Sequence, residues 1–257
     1  MDGAARAVLF LKKENFTSVE QSENSEQKGD RWSFLAVLPE SSYVHTVHSG
    51  QRNQAEAKIF VEQIKKNSDG EAPFFESDAW FYEEVLTQVY GSQVDTPYKG
   101  RGRKPLPKQV PDPNLKYAQV VKERENGKVI DIKTRIILGD EIEIQEILDK
   151  SNCSTTISTS FVESRNGAYR KDNKRLTRKT KCHSKRIDLH DAHIIFLKSV
   201  YNLTKENERF RILENPDAKR FETKYKKVSP AMKEGLVNEI YPLKDLLLMR
   251  PLMFAIN

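Results

Sequence analysis

The chain has 257 residues, enough for one large domain or two small ones with a buried core. Apolar residues make up 37% and charged residues 31%, the balance of a globular protein with a heavily charged surface, and no apolar run approaches a membrane span. The net charge is +6, neither Cys153 nor Cys182 belongs to a CxxC pair, and the first residues lack a signal peptide's features; the expectation is a cytoplasmic protein without a disulfide framework or zinc ribbon.

Residues 7–11 (AVLFL) predict a buried strand, and 14–30 read as a polar loop. WSFLAVL at 32–38 and YVHTVH at 43–48 flank Pro39-Glu40-Ser41-Ser42, which predicts a hairpin. From 53 to 66, Ala57, Phe60, Val61 and Ile64 share one helical face opposite charges, so the segment predicts an amphipathic helix. A fourth strand is expected over 72–77. A helix should follow over 79–90, with Phe81, Val85 and Val89 four apart. Three strands, a helical crossover, a fourth strand and a helix resemble the opening of a ribonuclease-H-like domain, in which the fourth strand lies beside the first.

Residues 93–114 are rich in Pro, Gly and basic residues and read as an exposed linker without regular structure. Two β-rich runs, 117–124 and 128–137, surround Asn126-Gly127, the dipeptide of a type I′ turn. In the second run Ile130, Ile132, Thr134 and Ile136 alternate with Asp131, Lys133 and Arg135, which predicts one buried and one solvated face. A short helix is expected over 142–148, β-branched extended chain over 155–162, and a strong helix over 188–201. A charged irregular tail covers 205–227, and a last helical piece over 232–248 should dock by its leucines. The organisation read from this order is a first core part over 1–92, linker and inserted hairpin over 93–137, a second core part with a basic helix over 138–203, and a tail over 204–257. The fold class is α/β (mixed α+β), with a mixed sheet flanked by helices.

Charge is concentrated. Between 165 and 186 stand Arg165, Arg170, Lys171, Lys174, Arg175, Arg178, Lys179, Lys181, Lys185 and Arg186 against Asp172 alone, which leaves the rest of the chain slightly acidic. Such a stripe suits a phosphate backbone, and it also suits a solvated helix face.

Cutting a phosphodiester with two metal ions requires carboxylates converging on one point, where Mg²⁺ or Mn²⁺ is held by hard oxygens. Asp78 closes the predicted fourth strand, at the carboxyl edge where open sheets place their sites; an ordinary helix N-cap is the competing reading. Glu163 follows an apolar run and heads the basic stretch, either as a site carboxylate or as a surface glutamate neutralising its neighbours. Cys182, His183, His190 and His193 match no zinc spacing, so structural or surface roles are expected for them, and His45 and His48 have opposite strand parity and cannot both face one site.

The segment 158–167, STSFVESRNG, resembles the NTSFVERxNG segment of bacterial DDE transposases of the insertion-sequence-one type. Arg170, Asn173, Arg178-Lys179-Thr180 and Ser184-Lys185 are similar to that family's continuation. So are the linker GRGRKP, VPDPNLKYAQVVK and the tail SPAMKEGLVNEIYPLKDLL, in matching order. The resemblance implies a ribonuclease-H-like core with a metal-binding catalytic triad, matched here by Asp2, Asp78 and Glu163, using Mg²⁺ or Mn²⁺ to cleave and transfer DNA strands. It also implies that Arg165, Arg170, Lys174, Arg175, Arg178, Lys179 and Lys185 contact double-stranded DNA, that a homodimer forms on paired DNA ends, and that no membrane is involved. Gly3 stands where the family has a second acidic residue and Ser164 where it has an arginine, and the likeness starts at the triad, without the family's N-terminal DNA-binding region. The alternative expectation is therefore an inactive, truncated transposase that only binds DNA.

Overall fold

A computed structural model describes residues 6–14, 31–69, 71–98, 100, 103, 105–126, 128–177, 182, 184 and 186–249; for 6–14 and 31 it describes the backbone alone. Strands β1 (Arg6–Glu14), β2 (Arg31–Leu38) and β3 (Tyr43–Gly50) come first, followed by helix α1 (Gln54–Lys66), β4 (Phe74–Ser77) and α2 (Tyr82–Tyr90). Two short strands, β5 (Ser92–Val94) and β6 (Lys108–Val110), precede the hairpin β7 (Tyr117–Glu125) and β8 (Lys128–Leu138). Helices α3 (Glu141–Lys150), α4 (Ser160–Asp172) and α5 (Ile187–Thr204) follow. The tail holds a minimal pair, β9 (Ile212–Leu213) and β10 (Tyr225–Lys226), and the short helices α6 (Pro230–Lys233) and α7 (Leu243–Leu248).

Six strands make one mixed sheet in the order β3-β2-β1-β4-β7-β8. The first three are antiparallel neighbours, β4 lies parallel between β1 and β7, and β8 returns antiparallel along β7. The mixed α+β class is thus the observed one. The crossover depends on α1, whose start is fixed by the Asn53 side chain accepting the Glu56 amide at 2.8 Å, and whose last turn carries Lys65 and Lys66 against the helix dipole. Its apolar stripe, Ala57, Phe60, Val61 and Ile64, is buried as the spacing predicts. Burying that stripe on the sheet carries the chain over β2 and β1 and delivers β4 beside β1.

On this first face Phe34, Ala36, Phe75 and Tyr117 of the sheet meet α1 and α2 in one continuous core. The opposite face holds two smaller clusters. Leu35, Val37 and Val44 pack under Val162 and Tyr169 of α4 and Tyr201 of α5, whereas Phe74 and Ala118 pack under Ile144 and Leu148 of α3.

Several expectations fail for identifiable reasons. The linker is not wholly irregular, since Ser92–Val94 and Lys108–Val110 pair antiparallel across it. The expected buried face of β8 is covered only at its last part: Ile136 packs on the Phe74 cluster, but Ile130 and Ile132 are 61% and 58% exposed, because that end of the hairpin runs past the helices. The 155–162 stretch is not extended throughout, as α4 opens at Ser160 and takes in Phe161 and Val162. Most of the tail leucines do not dock either, Leu246 alone among the described ones being half-buried. Leu236, Leu243, Leu247 and Leu248 are exposed, and Val228, Pro230 and Ala231 are buried instead. Among the described residues no helix is long and apolar enough to cross a membrane.

Candidate active site

Asp78 is the residue after β4, so it emerges at the carboxyl end of that strand. It is not a helix cap. Helix α2 opens only at Tyr82, with Phe81 in the capping position and no side-chain cap bond, while the Ser77 hydroxyl accepts the Ala79 amide at 3.0 Å. The loop is pinned from β7, where the Tyr117 hydroxyl donates to the Ala79 carbonyl at 2.9 Å. Although Asp78 as a whole is exposed, its carboxyl is crowded by protein, and that loss of water raises its pKa above the ordinary carboxylate value. The charge of Glu163 raises it further, and Lys122 and Arg124 pull it back.

Glu163 arrives from a different layer. It stands in the first turn of α4, its amide bonded to the Thr159 carbonyl at 3.0 Å, rather than after a strand. Its Oε1 accepts the buried Thr159 hydroxyl at 3.1 Å and the Lys122 ammonium. The two candidate carboxylates, far apart in sequence, therefore act on each other electrostatically across the end of the sheet.

A third carboxylate anchors this arrangement from below. Glu76 has no solvent exposure, and its Oε1 accepts the Ser158 amide at 2.9 Å, tying the approach to α4 onto β4. Lys122, Thr159 and Glu76 were not singled out from sequence. Lys122 did carry a signal, because it keeps the parity of the buried Ala118 and Val120 along β7, where a charge needs a partner.

The first strand contributes no acid at this level. Leu9 pairs with Ser77, so the β1 position next to Asp78 is Phe10, and the strand contains no carboxylate before Glu14. Asp2 lies outside the described residues. Among the described residues no group of three or more His, Cys, Asp and Glu is placed to hold a metal ion. The donor set as it stands does not fit a pair of divalent cations. Among the described residues it offers Asp78 and Glu163 besides the buried Glu76, which is bound to the Ser158 amide, and Oε1 of Glu163 is already bound to an ammonium.

The basic stretch is not one helix. α4 ends at Asp172, and buried Asn173 breaks the run by accepting the Arg175 amide at 3.0 Å, which starts a 3₁₀ turn over Lys174–Leu176. Lys174 and Arg175 are exposed, and Arg170 is half-buried with an Nε that has no partner among the described residues. Arg165 points elsewhere, its guanidinium stacked 3.8 Å from the Tyr201 ring centroid on α5. Arg178, Lys179 and Lys185 lie outside the described residues. On α4 the exposed positions Glu163, Gly167 and Lys171 lie on one side, with Lys174 just beyond, so the carboxylate and this row of cations share a surface.

The histidines are structural partners. His190 is buried against the Ser184 hydroxyl at 2.8 Å, and His48 meets Glu56 at 2.6 Å. A cavity of about 680 Å³ lies at the other end of the strands, lined by Tyr43, His45, Asn67, Lys198 and Glu234 among others, and it shares no residue with the Asp78–Glu163 site. Cys153 and Cys182 form no disulfide among the described residues. Compared with family models, with curated proteins and with solved structures, the chain matches none.

Proposed function

We propose that the chain is the catalytic part of a DNA transposase of the DDE insertion-sequence type, built on a ribonuclease-H-like core, which cuts and joins DNA strands. The observation that carries this reading is the electrostatic influence of Glu163, in the first turn of α4, on Asp78 at the carboxyl end of β4, with Lys171 and Lys174 exposed farther along the same side. The strand order, with three antiparallel strands followed by two parallel to the first, supports the same core. In this reading the duplex lies along the exposed side of α4, with Arg170, Lys171, Lys174 and Arg175 against its phosphates. Asp78 and Glu163 flank the scissile phosphate at the sheet's edge.

A second reading has its own support. The chain is a DNA-binding remnant without cutting activity, because β1 brings no carboxylate level with Asp78 and Lys122 already neutralises Glu163. Both readings give duplex binding that weakens by roughly 100-fold between 50 and 200 mM salt, the loss for about four phosphate contacts. The discriminating assay incubates the protein with end-labelled duplex and Mn²⁺. Nicking that disappears in Glu163→Gln supports the transposase, nicking that survives that substitution sinks the site assignment, and binding without nicking selects the remnant. Absence of salt-sensitive binding overturns both.

A further inference from the structure

We propose that Lys122 is the resident counter-cation of the Asp78–Glu163 site, so that its ammonium and a divalent cation exclude one another there. The inference rests on the reading of those carboxylates as a functional pair, and its observations come from β7 rather than from the carboxylates themselves. Lys122 extends from the inward parity of β7, and its side chain is only 17% exposed against 45% for Glu163. A long apolar stem buried along the sheet with a charged head at its edge is how lysine reaches a polar site. The head is doubly engaged: Nζ donates to Glu163 Oε1 and, at 3.3 Å, to the Thr159 hydroxyl, which itself donates to the same carboxylate oxygen. The three groups form a closed triangle on one face of the carboxylate. Lys122 is also the cation that acts most strongly on the Asp78 carboxyl.

Two carboxylates close enough for one to raise the other's pKa repel unless something positive stands by them. In a site for divalent cations the ion supplies that charge, with carboxylate oxygens as its direct ligands. Here a single positive charge from the chain does so, on the oxygen an ion would need. A compact ammonium on a flexible stem can withdraw, unlike a fixed guanidinium, so the exclusion is competitive. The arrangement has a consequence for folding as well. It ties the first turn of α4 to β7 through the Lys122–Glu163 contact.

The test is Mn²⁺ binding followed by electron paramagnetic resonance of the free ion, on full-length protein without DNA. Lys122→Met should bind Mn²⁺ tighter than the unaltered chain by roughly tenfold or more, since one unit charge beside the bound cation is removed. Lys122→Arg, which keeps the charge, should not, and Lys122→Met combined with Glu163→Gln should lose the gain. Unchanged or weaker binding by Lys122→Met, with its thermal transition intact, overturns the proposal. If that variant fails to fold, Lys122→Gln takes its place with the same two outcomes. The readout is independent of DNA cutting. Tighter Mn²⁺ binding without nicking leaves the counter-cation standing and removes the transposase, and nicking with unchanged Mn²⁺ binding does the reverse.

Discussion

On the side of the sheet covered by α1 and α2, Phe34, Phe75 and Tyr117 pack against Phe60, Tyr82 and Leu86 in a single apolar body. On the side covered by α3, α4 and α5 the apolar contacts are split in two. Buried polar groups, among them Glu76, Thr159 and Asn202, hold much of what those helices need held. Continuous apolar burial stabilises without caring about direction. A buried hydrogen bond adds little net stability yet fixes orientation, because leaving either partner unpaired is costly. The first side therefore carries most of the folding free energy, and the second positions Asp78, Lys122 and Glu163.

The sharpest way to break that comparison is to empty the first side. Phe60 is fully buried at the centre of the continuous core, and Phe60→Ala should destabilise by about 3–5 kcal/mol in urea unfolding, the range for a large aromatic lost from a core that cannot collapse. A cost near zero would mean that α1 is not a load-carrying part of the core.

On the second side two buried asparagines make a matched pair. Asn202 joins α5 to β3, its Oδ1 accepting the Val44 amide at 3.0 Å and its Nδ2 donating to the Val44 carbonyl at 2.8 Å. Asn202→Leu strands both backbone groups and should cost about 2–3 kcal/mol. Asn166 is as deeply buried, but its Nδ2 has no partner among the described residues. Asn166→Leu, nearly the same shape, should change stability by less than about 1 kcal/mol or raise it. Equal costs for the two would show that Asn166 is also tied, and the contrast between a stitched and an unstitched polar group would go.

The same contrast explains what could be read from the amino acids. Helix α1 was legible in its span and its stripe, because on the apolar side spacing and burial say the same thing. Alternation in β8 named which residues share a face but not whether anything covers it, so Ile130 and Ile132 were assigned a cover they lack. The β-branched run before Glu163 favours extended chain locally. What starts a helix there is remote, the Glu76 carboxylate holding the Ser158 amide, and no local pattern reports it. Asp78 and Glu163 were recognisable by resemblance and by their place in the order of elements. Lys122 was passed over although a lysine at buried parity is itself a signal, and the break at Asn173 divides a basic run that charge counting treats as continuous.

A smaller effect comes from the imidazoles. Burial, then the charge of Lys198, holds the His45 pKa below the free value of 6.5, and burial with Arg175 does the same to His193. The unfolded chain therefore takes up protons first as the pH falls. Stability contributed by these neutral rings is complete above about pH 6.5 and is lost as the pH drops through that value toward the folded pKa. Urea midpoints should fall on acidification across this window, and His45→Gln should flatten the fall. A midpoint that rises would mean that other groups dominate.

Asp78 gives the finest test, since there the effects oppose one another. Burial and Glu163 favour the protonated acid, whereas Lys122 and Arg124 favour the carboxylate, and burial is the largest of the four. With the folded pKa raised above the usual 3.8, the folded chain holds this proton more tightly than the unfolded one. The stabilising contribution is thus present at low pH and is lost as the pH rises from about 3.8 through the folded pKa. Ionising Asp78 costs more in the folded chain than in the unfolded one. Asp78→Asn should raise the thermal midpoint slightly at neutral pH, and the gain should shrink as the pH falls toward 3.8. A drop at neutral pH would mean that attraction to Lys122 outweighs burial, and the site would then be an ion-pair network kept for stability. If the expected gain comes together with loss of DNA nicking, the carboxylate is one the fold tolerates at a cost, as expected of a group kept for its chemistry.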